Sequence, residues 1–310
     1  MRVFVAGGSG ALGAYLVPQL VARGHQVTAT TTTPAKLSKL AEMGAEGVVM
    51  DGLDAVSVGE AVAAAKPDAI VHEMTAINPV HAGKPDMKHI DRWFARTTRL
   101  RTEGTDHLLA AAEATGVTNI VAQGYASWNG IREGGWVKTE EDPLDPGTGT
   151  VLEPMMTAAR RLESSVVGAG GAIMRYGGFY GPGVTDDQAE MLRKRQYPLV
   201  GKGTGYSSLI HLHDAASATV LAVEQKARGL FNIVDDEPAP AREWLPYLAQ
   251  CTGAKKPLRI PVWLARMVAG DAAVIMMVEG RGFSNAKAKR ELGWQLRYPS
   301  WRQGFREGIA

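Results

Sequence analysis

Short runs of β-branched or wholly apolar residues alternate along this chain with segments whose apolar positions recur every three or four residues, the spacing of one helix face. The first pair sets the pattern. The apolar run 3–5 leads through Ala6 toward Leu12, Tyr15, Leu16 and Leu20, which share one side of a helix. The same reading predicts strands at 3–6, 26–32, 47–50, 69–72, 119–122, 172–176 and 230–234. Helices are predicted at 12–23, 35–43, 57–65, 87–115 and 153–167. Gly24 and Gly44 close the first two, and Pro18 inside the first reads as a kink. Strands alternating with helices require a parallel sheet covered on both faces, so the expected fold is α/β, a doubly wound parallel sheet.

After the sixth strand the alternation weakens. Residues 1–180 are expected to form the sheet domain, with the strand near 229–235 returning to it. Residues 181–228 and 236–310 are expected to form a smaller, mostly helical C-terminal lobe that covers substrate, because ligands of such sheets lie at the carboxyl ends of the strands.

Composition narrows the class. With 310 residues, 45% apolar and 21% charged, the chain can bury a sizeable core, and disorder is not indicated. A net charge of +2 gives no reason to expect nucleic acid or an anionic membrane. The single cysteine, Cys251, excludes an internal disulfide framework and suits a reducing cytosol. No apolar run reaches the length of a membrane span, and strand one leaves no room for a signal peptide, so a cytoplasmic location is expected. No His/Cys/Asp/Glu spacing suggests a metal site.

The candidate chemistry begins at the first strand-to-helix turn, Gly7-Gly8-Ser9-Gly10-Ala11-Leu12-Gly13. Glycines allow the backbone to turn tightly and approach a ligand, while the following helix offers unpaired N–H groups and its positive dipole end to a diphosphate. Gly7, Ser9, Gly10, Ala11, Leu12 and Gly13 are therefore expected to hold a dinucleotide in a Rossmann-type fold. At the end of strand two, Thr28 to Lys36 carries no acid. An acid there would accept from the adenosine ribose of NAD and repel a 2′-phosphate. Thr31, Thr32 and Lys36 instead suit that phosphate, so NADP(H) is expected and NAD stays open.

The order of motifs resembles the extended short-chain dehydrogenase/reductase superfamily, of the NAD(P)-dependent epimerase/dehydratase type. The resemblance rests on the glycine turn, Asp51-Gly52-Leu53-Asp54 after strand three, and the Gly104-Thr105-x-x-Leu108-Leu109-x-Ala111-Ala112 helix. It also rests on Arg175-Tyr176-Gly177-Gly178-Phe179-Tyr180-Gly181-Pro182-Gly183, His211 to Ala216, and Asn285 to Trp294. It implies that Asp51, with Gly52 and Leu53, contacts adenine, an alternative being an ordinary turn or cap aspartate. It further implies that Met74 and Thr75 line the cofactor after strand four, that His72 is structural, and that His211 and His213 are structural too. Arg101 stands where the family often has asparagine, and is open between a structural contact and a substrate contact. The run Arg193-Lys194-Arg195 reads as a solvated face.

The family's Tyr-x-x-x-Lys pair is missing. On the helix at 153–167 the corresponding positions are Met155 and Ala159, or Met156 and Arg160 after a one-residue shift. Tyr125 and Ser127, after strand five, are the remaining candidates to contact a reacting group. An unassisted tyrosine, with a pKa near ~10, donates a hydrogen bond more readily than it accepts a proton. Trp128, Trp136, Met155, Met156, Phe179 and Tyr180 are expected to line an apolar substrate pocket.

The expected function is an NADPH-dependent reductase acting on a ketone of an aromatic or polycyclic, natural-product-like substrate, such as occurs in antibiotic biosynthesis. Proton handling falls to the substrate or Tyr125. A nucleotide-sugar epimerase or dehydratase and a non-catalytic NAD(P)-binding sensor are the alternatives. The expected partner is a small-molecule substrate. A homodimer through the helices at 87–115 and 153–167 is a further expectation, against which Arg160 and Arg161 would crowd like charges at a two-fold axis.

Overall fold

A computed structural model describes residues 1–77, 83 and 86–309. Seven strands form the central sheet: β1 Arg2–Ala6, β2 Gln26–Thr31, β3 Glu46–Val49, β4 Ala69–His72, β5 Ile120–Tyr125, β6 Ala172–Tyr176 and β7 Gly229–Ile233. All neighbours pair in parallel, in the order β3-β2-β1-β4-β5-β6-β7. This is the doubly wound order, with the reversal between β1 and β4. The register sets Ala6 beside His72 and Tyr125 beside Tyr176. The carboxyl ends of β1, β4, β5 and β6 consequently lie along one edge.

Helices cover both faces. On one, α1 Gly13–Ala22 buries Leu16, Val17 and Leu20 against the sheet together with Ala215, Ala218 and Val223 of a later helix, Leu212–Gln225. On the other, α2 Ala55–Ala65, α3 Ala95–Thr115 and α4 Glu153–Gly168 bury Val58, Val62, Leu108, Leu162 and Val166. Burying such side chains contributes about 1.5–3 kcal/mol each, which is what holds the helices to the sheet.

Local chemistry explains the differences from the predicted boundaries. α2 starts two residues early because Asp54 caps it, its Oδ1 accepting from Val56 N at 2.9 Å and Ser57 N at 3.3 Å. The long helix predicted from residue 87 is instead a short turn, Ile90–Trp93, followed by α3. β5 runs on to Tyr125, which is therefore a strand residue rather than a loop residue. Helix Leu212–Gln225 shares its core with α1, so its packing belongs to the sheet although it falls within the 181–228 lobe range.

The C-terminal segments build a separate core from Leu199, Trp244, Leu245, Leu248, Ala265, Trp301 and Phe305. Between that core and the sheet edge lies a fourth cluster, containing Ile90, Ala126, Trp128, Met155, Met156, Ile275 and Phe283. No helix among the described residues is long and apolar enough to cross a membrane.

Candidate active site

The glycine turn is built by close approach. Gly7 has φ +89°, and a Cβ there would stand 2.7 Å from the Glu73 carbonyl oxygen. At Gly13 a Cβ would stand 2.0 Å from the Gly8 carbonyl oxygen, so only glycine lets α1 begin this near to β1. Gly10 and Ala11 are exposed, and beside Gly10 an added Cβ would meet only the Gly7 carbonyl, at 3.2 Å. The outer face of the turn is bare backbone at a helix N-terminus, the surface a diphosphate requires. Leu12 differs from its neighbours: it is buried in the core and presents backbone alone.

Strand β2 braces this turn. Gly7 N donates to Thr30 Oγ1 at 2.9 Å, and Ser9 Oγ donates to Thr31 Oγ1 at 3.0 Å. Thr33 N also donates to Thr31 Oγ1, at 3.1 Å. Thr31 is 4% exposed, which makes it a strut of the turn and corrects the expectation that its hydroxyl meets a 2′-phosphate. Thr32 is exposed and Lys36 half-buried at the end of a single helical turn, Pro34–Lys36.

Asp51 is exposed and accepts from Leu53 N at 3.0 Å, with Arg96 at 3.5 Å. It closes its own turn, and Asp54 does the helix capping. Gly52 is buried because Met74 lies on it: a Cβ would meet the Met74 sulfur at 2.3 Å. Met74 is committed internally, its N donating to His72 Nδ1 at 3.2 Å and its O accepting from Gln123 at 2.7 Å. It shapes the floor instead of offering backbone groups, while Thr75 is half-buried beside it. His72 is structural. Its Nε2 bonds Thr105 Oγ1 at 3.2 Å, which donates in turn to the Arg101 carbonyl at 2.9 Å. Burial holds the His72 pKa down to about 4, so it is neutral at physiological pH.

Directly beneath Gly7 lies a network that sequence reasoning missed. Tyr176 OH donates to Glu73 Oε1 at 2.8 Å and pairs with Thr219 Oγ1 at 2.7 Å. Burial pushes the Glu73 carboxyl up to about 8, and the Tyr176 phenol is raised well above its ordinary value. An acid directly after an apolar strand was the available signal for Glu73. Nothing local marks Tyr176 or Thr219, which lie 103 and 146 residues further along the chain.

At the ends of β5 and α4 the fold assembles a second, different environment. Trp128 Nε1 donates to Tyr125 OH at 2.6 Å, and the rings meet edge to face at 5.8 Å. Burial raises the Tyr125 pKa, while bonds from Trp128 and Ser127 and the charge of Arg101 oppose the rise. Met155 and Met156 are buried in the same cluster as Trp128, with Trp93 and Phe94 packed against it. Phe179 is half-buried on Tyr176, ring centres 5.4 Å apart. The expected pocket residues Tyr125, Ser127, Trp128, Met155 and Met156 thus converge on one region.

Two others do not. Tyr180 is 1% exposed within the C-terminal core, edge-on to Phe305 and His211, with no room between it and Gly304. Trp136 lies at the surface, stacked on Tyr206 beneath Arg281. His211 is structural, bonded to the Gly308 carbonyl at 2.9 Å. Buried beside this region, Arg175 is clamped by Glu163 of α4 at 2.7 and 2.8 Å. Among the described residues no His/Cys/Asp/Glu cluster is placed to hold a metal.

Residues 3–233 match the model of the NAD dependent epimerase/dehydratase family. A relative from Streptomyces sp., 3-diazoavenalumate denitrifying reductase, is 38% identical over 98% of this chain and 99% of its own length. A ketoreductase of Stigmatella aurantiaca, acting on 4-hydroxy-2-methyl-3-oxo-4-farnesyl-3,4-dihydroquinoline-1-oxide, is 25% identical over 95% of this chain and 92% of its own. Among solved structures, UDP-glucose 4-epimerase of Thermotoga maritima superposes with a TM-score of 0.75 at 20% identity, covering 99% of this chain and 96% of that one. At that identity the likeness is one of fold. Sheet order, glycine turn and family match agree: the chain belongs to the NAD dependent epimerase/dehydratase family, as an NAD(P)-dependent oxidoreductase.

Proposed function

We propose that this chain is an NADPH-dependent reductase of an aromatic substrate, acting on a centre that needs no proton from a Tyr–Lys pair. The observation that carries this reading is α4 itself. Where the family's proton-handling pair would stand, α4 carries Met155 and Ala159, both buried and apolar, or, one residue on, Met156 and the half-buried Arg160; Met155 and Met156 pack with Trp128 and Tyr125. The bare turn at Gly10, the absence of an acid in 28–36, and Lys36 support NADP(H) as cofactor. Bound there, the nicotinamide supplies a hydride. The protein's part is to seat the cofactor against β1 and β4, to present an aromatic ring along Trp128, Met155 and Met156, and to exclude water.

A diazo group suits this site best, as the name of the Streptomyces relative suggests. The substrate gains a hydride, its carbon–nitrogen bond breaks, and the two nitrogens leave as dinitrogen. No alkoxide forms, so no acid need protonate one. A second reading, reduction of an aromatic ketone, is favoured by Tyr125. Its oxygen already accepts from Trp128, which leaves its own hydrogen to donate to a developing alkoxide. The test offers the purified protein NADPH with a diazotised aminohydroxycinnamate and, separately, with polycyclic ketones. NADPH consumption with a product lacking both nitrogens supports the first reading. Consumption with ketones alone supports the second, and none with either overturns the reductase reading.

A further inference from the structure

Three contacts in a row tie the end of β4 to β6 and to the helix Leu212–Gln225. Glu73 Oε1 lies 2.8 Å from Tyr176 OH, Tyr176 OH lies 2.7 Å from Thr219 Oγ1, and Thr219 Oγ1 donates to the Ala215 carbonyl at 2.8 Å. A tyrosine and a threonine own one hydroxyl hydrogen each, and a carboxylate owns none. With Glu73 ionised, two hydrogens must therefore serve three contacts. A proton on Glu73 supplies the third. Every link is then made in one direction, from Glu73 to Tyr176, from Tyr176 to Thr219 and from Thr219 to Ala215. The hydrogen count favours a neutral acid, and burial, which pushes the Glu73 carboxyl up to about 8, acts in the same sense.

The chain ends against the glycine turn. Glu73 N donates to the Ala6 carbonyl at 2.8 Å, and the Glu73 carbonyl is the group that leaves no room for a Cβ on Gly7. The second carboxyl oxygen has no partner among the described residues and stays open to solvent. Among those residues no cation faces it. The turn brings backbone and Ser9, which is bonded to Thr31, and β6 brings Tyr176. On the helix Leu212–Gln225, His213 and Asp214 pair at 3.2 Å, and Glu224 pairs with Arg23 and His25. Tyr15 of α1 donates to the Pro182 carbonyl at 3.4 Å, and His72 turns to Thr105. An ionised Glu73 would thus set an uncompensated negative charge beside a surface suited to a diphosphate. We propose that Glu73 is a positioning residue for the dinucleotide: as a neutral acid it locks the floor of the turn, and on losing its proton it breaks the chain and places negative charge beside the diphosphate seat. The assignment rests on the cofactor's seat at the glycine turn and not on which substrate is reduced. Cofactor and proton are then linked: the complex holds the proton more tightly than the free protein, so affinity falls as pH rises.

Calorimetric titration with NADPH from pH 7 to 9, where the 2′-phosphate is already ionised, reads this linkage. Affinity should fall about fivefold or more across the range. Glu73→Gln, which keeps a donor for Tyr176 and cannot ionise, should remove most of the fall. Thr219→Val leaves the Tyr176 hydrogen no acceptor but Glu73, which favours the carboxylate, so the fall should begin at lower pH. A packing role moves neither profile. A flat profile in the parent, the parent's profile in Glu73→Gln, or a midpoint in Thr219→Val that stays put or rises would overturn the proposal. If Glu73→Gln does not fold, the direction of the Thr219→Val shift decides alone. Failure of both variants to fold would make the chain structural only and overturn it too. Unaltered affinity in Gly10→Val removes the turn as the cofactor's seat instead, and turnover, measured separately, bears only on the reductase reading.

Discussion

The β1–α1 turn and the β5–α4 region lie on the same edge of the sheet and are built on opposite terms. At the turn, side chains are excluded: Gly7 and Gly13 have no space for a Cβ, and Thr30, Thr31 and Ser9 spend their hydroxyls holding backbone in place. At β5–α4, side chains do the building, with Trp128 on Tyr125 and two methionines packed beside them. The first arrangement tolerates almost no change, because its shape is the backbone's shape. The second is made of side chains that substitute for one another at modest cost, so its chemistry can change while the fold stays. On the proposed reading, cofactor binding and reaction are thereby separable in this molecule.

That separation should be sharpest at Gly10. Gly10→Val is expected to weaken NADPH binding by at least about a hundredfold, by branching into the bare face of the turn, with little change in melting temperature. Unaltered calorimetric affinity would mean that the turn does not hold the cofactor.

A smaller effect is expected from the network linking the two regions. Burial pushes the Glu73 carboxyl from its ordinary 4.5 up to about 8, so the folded state holds a proton that the unfolded state releases. Stability should fall as pH rises between those values. His72, lowered from 6.5 to about 4, acts in the opposite sense, adding stability as pH rises toward 6.5. From pH 6.5 to 8 the His72 effect has ended, and the Glu73 effect, worth at most roughly 2 kcal/mol, continues beside that of Asp235, whose carboxyl burial also raises. Glu73→Gln should lessen the fall of urea-derived stability across that window. A slope equal to the parent's would remove Glu73 as its source.

Tyr125→Phe comes next. It should lower kcat on a ketone roughly tenfold, about 1.4 kcal/mol, with cofactor affinity intact and with less effect on a diazo substrate. Equal rates on the ketone would reduce Tyr125 to packing. The smallest effect belongs to Lys36→Ala, which should weaken NADPH a fewfold, by under about 1 kcal/mol, and leave NADH unaltered. Parallel changes in both cofactors would remove Lys36 from 2′-phosphate recognition.

The sheet was legible in the sequence because glycines and β-branched runs mark each strand end, and each helix carries an apolar face. The turn was legible in residue type yet not in role. Thr31 has the hydroxyl that a phosphate would want, but two hydrogen bonds from the turn consume it. Tyr180 looked like a pocket residue from its place in the Tyr-Gly-Pro-Gly loop. The C-terminal helix Trp301–Glu307 starts 121 residues further along and buries it, which no local pattern signals. The Glu73–Tyr176–Thr219 network was hidden for the same reason, since its members meet only after β4, β6 and the helix Leu212–Gln225 are in place. Tyr125 and Trp128, three residues apart, show the contrary case: neighbours in sequence that the structure joins directly.

The Glu163–Arg175 clamp makes one end of α4 an anchor. It fastens the second half of α4 to β6 with a bidentate, buried ion pair. A helix secured in this way stays put whatever occupies its first two turns. Substitutions in those two turns, at Met155 and Met156 among others, can therefore change what lines this region without loosening the helix from the sheet.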